Sequence, residues 1–206
     1  MCREKKMKLI LGLFCFLGII QDIAAKEYTL KDQSAGILER RQQALSLRCK
    51  VGIIVGSDSL RAGSGELAAK LLKKAGFDVT DVSVVKNLEV KDQLQKMLNT
   101  KDIDAILCIG GTGISPHDVT IEAMEEVTEK DLPGYGEHFR AITFERWKNH
   151  KNELGLLSID TRAKAVVAKN KIIFAVPGSP DATRLAVSEL IIPGLPTLLG
   201  QLKKER

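Results

Sequence analysis

Asp104-Ala-Ile-Leu-Cys-Ile109, followed at once by Gly110-Gly-Thr-Gly-Ile-Ser-Pro-His-Asp118, is the stretch on which the fold turns. An apolar run without polar alternation reads as a strand covered on both faces, and the glycines that end it read as a sharp turn. The same sentence is written twice more. Val51-Gly-Ile-Ile-Val55 runs into Gly56-Ser57-Asp58-Ser59, and Lys171-Ile-Ile-Phe-Ala-Val176 runs into Pro177-Gly178-Ser179-Pro180. Between them lie helical patterns, expected over Glu66–Ala75, Val90–Leu98, Asp118–Val127, Phe139–Lys148 and Asp181–Ile191, and an alternating strand over Phe77–Val85. Strands alternating with helices predict a three-layer α/β/α sandwich around a mostly parallel sheet. Ligands of such sheets bind beyond the carboxyl ends of the strands, so the three turns are expected on one rim.

Composition agrees with one globular domain plus an extension. The chain has 206 residues, 44% of them hydrophobic, which excludes disorder. Its net charge of +5 is confined to the first quarter, because residues 1–50 hold ten Lys and Arg against five acids and the rest carries 21 of each. A body without net charge, with only 4% aromatic residues, is no platform for nucleic acid. The four cysteines, Cys2, Cys15, Cys49 and Cys108, are far apart and show neither zinc nor disulfide spacing.

The first 48 residues are read as a leader and linker, and 49–203 as the binding domain. A basic Met1–Lys8, an apolar Leu9–Ile20 and the small Ala24-Ala25 outline a secretory signal or anchor over 7–25. The competing reading is an unused leader, with Met7 as a second start.

Glycines after a buried strand let backbone N–H groups approach an anion, because no side chain intervenes. Thr112 and Ser115 add hydroxyls. The loop has neither the Lys-Ser/Thr ending of a Walker loop nor the spacing of a dinucleotide fingerprint. Asp118 or Thr120 is expected to cap the next helix, with Glu122 in its first turn. An acid beside a phosphate cradle is repelled unless Mg²⁺ lies between them, which points to metal-assisted nucleotide chemistry. Pro177 and Pro180 bracket Gly178 and Ser179 as a rigid second turn, while Ser57-Asp58-Ser59 on its own reads as an Asx turn. Arg140 and Arg162 each offer a fork for phosphate. Trp147 reads as a packing anchor.

Together, Ser57-Asp58-Ser59, Gly110 through Ala123, Leu132-Pro-Gly-Tyr-Gly-Glu-His-Phe-Arg140, Thr161-Arg162-Ala163 and Pro177–Pro180 resemble the molybdenum cofactor biosynthesis proteins of the MoaB/Mog family, over about residues 50–200. The resemblance implies a homotrimer that binds molybdopterin and a nucleotide. Its catalytic members are transferases that adenylylate molybdopterin with MgATP; a non-catalytic pterin- or nucleotide-binding protein of the same fold is the alternative. Carried over by position, Gly110, Gly111, Thr112 and Gly113 would hold phosphate, with Ser115, Thr120, Glu122 and Arg162 around them. Asp118 would be the Mg²⁺-linked catalytic acid. Ser57, Asp58, Pro177, Gly178, Ser179 and Pro180 would line the pocket. The chain departs from the family over Ser59–Glu66, which is short and lacks an acid before Ser64-Gly65, and at Val85–Leu88, where many members have Pro-Asp. Such chemistry implies a cytoplasmic location, against which the leader leaves export or membrane contact as the alternative.

Overall fold

The computed structural model describes residues 49–59, 62–148 and 158–203. The leader over 7–25, the linker up to residue 48, Cys2, Cys15 and His150 lie outside them.

Strand β1 (Lys50–Gly56) leads to helix α1 (Gly63–Lys74), β2 (Asp78–Val85), a 3₁₀ turn (Asn87–Glu89), α2 (Val90–Asn99), β3 (Ala105–Ile109) and α3 (Thr120–Glu125). A two-residue strand β4 (Lys130–Asp131), α4 (Pro133–Trp147), β5 (Ala165–Ala168) and β6 (Lys171–Val176) follow. The last unit is α5 (Pro180–Leu185), continued through a π-helical turn (Ala186–Ile191) into α6 (Ile192–Leu202).

The sheet order is β2-β1-β3-β6-β5-β4, with β2, β1, β3 and β6 parallel. The three apolar runs occupy its centre because each must face two hydrophobic layers. Along β1, Val51, Ile53 and Val55 enter one core while Ile54 enters the other. Leu107 and Phe174 likewise face the first layer, and Ile106 and Ile173 the second. The first layer is closed by α1, α4 and the long C-terminal helix through Leu72, Phe139, Leu185, Leu195 and Leu199. The second is closed by α2 and α3 through Val90, Leu94, Met97, Ile121 and Met124.

The pattern departs from the expectation in three places. The first concerns β4 and β5, which the sequence reading did not identify and which run antiparallel to their neighbours at β4–β5 and β5–β6. The β5–β6 connection is two residues long, Lys169-Asn170, at φ 46° and 58°. Two positive φ values suit the right-handed twist of a hairpin, so a tight turn forms where a crossover helix would have no room.

The second is α4, which begins at Pro133, six residues before the expected Phe139. Gly134 and Gly136 make that segment look like a loop, but proline at the first helical position costs no hydrogen bond, and Gly136 lets the helix approach the Ala163 carbonyl. In the third, the closing helix runs eleven residues past Ile191. The π turn precedes Pro193, whose missing N–H cannot bond back to the preceding turn, and a widened turn accommodates that break.

Candidate functional site

Chain order steps from β1 to β2 on one side and then to β3 on the other, so the direction of winding reverses between β1 and β3. At such a reversal the flanking connections diverge and leave a crevice beyond the strand ends. The turns after β1, β3 and β6 meet there. Gly110 has φ 95°, and a Cβ on it would run into the carbonyl of Gly56. A Cβ on Gly178 would sit 3.3 Å from the Gly110 Cα. The glycines thus serve backbone packing as well as exposure of N–H groups.

The loop is held from behind. Thr120 is buried, donates its hydroxyl to the Gly110 carbonyl at 2.7 Å, and sends its N–H to Gly111 O at 3.1 Å. The cap of α3 is Val119, without any side-chain cap, so neither Asp118 nor Thr120 caps the helix as expected. Thr120 is occupied with the loop, and the Asp118 carboxylate accepts the Ser115 N–H at 3.0 Å through Oδ2. That carboxylate lies against Gly113, where a Cβ would be 2.8 Å from Oδ2.

Arg162 is the clamp. Its N–H donates to Thr112 O at 2.9 Å, Nε to Gly113 O at 2.8 Å and Nη2 to Asp118 O at 2.9 Å, while Nη1 pairs with Glu122. A guanidinium so engaged orders the loop and has little left for a ligand. Arg140 likewise donates to Ala163 O at 3.2 Å. Arg162→Lys is expected to cost about 1–3 kcal/mol of stability, since an ammonium cannot span three acceptors in one plane. Thermal melts of parent and variant check this.

The Arg162 hydrogen bond holds the Glu122 carboxyl below its usual 4.5, with partial burial opposing it. A depressed carboxylate adds stability above its unfolded value and loses it as pH falls through the folded one. Melting temperature is therefore expected to fall more steeply below about pH 4.5 in the parent than in Glu122→Gln, with the two parallel at neutral pH. Equal slopes would place the acid sensitivity elsewhere.

On its open side the loop presents the N–H groups of Gly111, Thr112 and Gly113, none hydrogen-bonded among the described residues. Thr112 itself is only 4% exposed. Across the crevice the N–H groups of Gly178 and Ser179 are likewise open. Ser179 caps the C-terminal helix through a 3.2 Å bond from Ala182 N, and Ser64 Oγ fastens the turn by donating to Gly178 O at 2.7 Å.

Two hollows flank the loop. The larger, about 640 Å³, lies between Thr112 and Gly113, the Pro177–Asp181 turn and the face of α4. The smaller, about 370 Å³, is lined by Ser115, Asp118, Glu122 and Arg162. Thr112, Gly113, Pro177 and Ser179 therefore come together, and Asp118 sits across the loop from them. Ser57 and Asp58 line neither hollow. Asp58 accepts the Asn87 N–H at 3.2 Å and Ser57 Oγ lies 3.2 Å from Ser59 Oγ, so the first turn braces the β2–α2 connection rather than closing a local Asx turn.

The sequence reading missed the α4 wall of the larger cavity, Phe139, Thr143 and Trp147, together with Asp160 on the segment leading to β5. The signal was there: Phe139, Thr143 and Trp147 recur every fourth residue and so share one helix face.

Among the described residues no three His, Cys, Asp or Glu side chains gather around one point. Cys49 and Cys108 are buried in the core, and burial pushes the Cys108 thiol up to about 12, leaving it inert.

Comparison with known proteins agrees with this geometry. Residues 52–197 match the family described as a "Probable molybdopterin binding domain". Molybdenum cofactor biosynthesis protein B of Halalkalibacterium halodurans is 35% identical over 170 residues, spanning 81% of this chain and 96% of that one. Its Bacillus subtilis counterpart is 34% identical over 82% and 99% of the two chains. Among solved structures, a molybdenum cofactor biosynthesis protein B superposes with a TM-score of 0.69 at 32% identity, covering 77% and 98% of the two chains. The tungsten cofactor synthesizing protein MoaB from Pyrococcus furiosus gives 0.67 at 27%, covering 76% and 98%. A mostly parallel six-stranded sheet, a glycine loop at its reversal point and these relatives lead to one conclusion: this chain belongs to the MoaB/Mog family of molybdenum cofactor biosynthesis proteins.

Proposed function

We propose that this chain is a nucleotidyltransferase that adenylylates molybdopterin with MgATP. The observation that carries the reading is the row of open N–H groups at Gly111, Thr112 and Gly113, with the Asp118 carboxylate against the same loop. The terminal phosphate of molybdopterin forms a bond to the α-phosphorus of ATP, the bond from that phosphorus to the bridging oxygen breaks, and pyrophosphate leaves. Little covalent work falls to the protein in such a transfer. Its task is alignment and charge compensation.

The loop N–H groups hold phosphate oxygens, and the Gly178–Ser179 turn faces them across the cavity. Asp118 keeps one carboxylate oxygen, Oδ1, without a hydrogen bond among the described residues. One carboxylate beside an anion cradle suits Mg²⁺, which binds through one or two carboxylates plus substrate phosphates and does not need a full protein cage. Bound there as part of MgATP, the ion would offset the charge of the phosphates. Gly110, Thr120, Glu122 and Arg162 act behind this surface by fixing the loop. The reading includes a homotrimer, a binding domain over 49–203 and a cytoplasmic location.

One observation favours a protein that binds without turnover. Beside the end of β1, Asn87 presents a neutral amide whose oxygen is buried without a partner, and the neighbouring Asp58 is committed to the Asn87 N–H. Incubation with molybdopterin and MgATP separates the two. Adenylylated molybdopterin with stoichiometric pyrophosphate supports transfer; nucleotide binding without product rejects it.

A further inference from the structure

We draw no further inference here: the strongest candidate, the groove of about 510 Å³ between the start of α4 and the approach to β5, has Arg162 and Lys164 paired with Glu122, Glu125 and Asp131 and Arg140 bonded to Ala163 O, and nothing in the structure shows what covers it.

Discussion

Gly110→Ala is expected to cost about 3–5 kcal/mol, the sum of an unfavourable backbone angle and a collision that nothing nearby can relieve. The position sits at φ 95°, where an L side chain is strained whatever space surrounds it. There is also no space, since the added carbon would meet the backbone carbonyl of Gly56 at the end of the neighbouring strand. Backbone cannot rotate away as a side chain can, so β1 and β3 would have to separate at the crevice. For a domain of this size the melting temperature should drop by roughly 10 °C. Gly134→Ala is the contrasting variant. A Cβ there meets nothing within 4 Å and the residue lies in α4, so it should be neutral or add up to about 1 kcal/mol through reduced freedom of the unfolded chain. Thermal melts of the two proteins check both signs, and a Gly110→Ala protein as stable as the parent would disprove the close approach.

Asp118→Asn carries the largest expected effect on activity. The amide can still accept the Ser115 N–H through its oxygen, so the turn stays tied while the negative charge is gone. The proposed adenylyl transfer is expected to fall by at least about a hundredfold, in the range seen when one electrostatic contact to a transition state is removed. Melting should stay within a few degrees of the parent. Asp118→Ala also releases the Ser115 tether and should add a stability loss of about 1 kcal/mol. The pair separates charge from bracing: were only the alanine variant to lose activity, Asp118 would be a support for the loop and its proposed part in the chemistry would be withdrawn.

The second hollow shows why bracing and binding must be told apart. Arg162 and Glu122 lie in exposed, charged surroundings of the sort that would suit a phosphate, yet they are spent on each other and on three loop carbonyls. Their contribution to ligand affinity passes through the shape of the glycine loop. Variants at Arg162 should therefore alter affinity and stability together.

Sequence alone determined the central layer. Continuous apolar runs at Val51–Val55, Asp104–Ile109 and Lys171–Val176 have one stable solution, burial between two hydrophobic layers, and the glycine- and proline-marked turns after them follow from where such strands must stop. The glycine loop was legible for the same reason, since it is local. Tertiary structure decided the rest. Whether Lys169-Asn170 closes a hairpin depends on β6 being present as a template. Asp118 and Thr120 choose a turn amide and a loop carbonyl over the helix end because those groups are brought within reach only by folding. The cavity is assembled from α4, the approach to β5 and the turn after β6, segments tens of residues apart, and no periodicity along the chain records which walls will face each other.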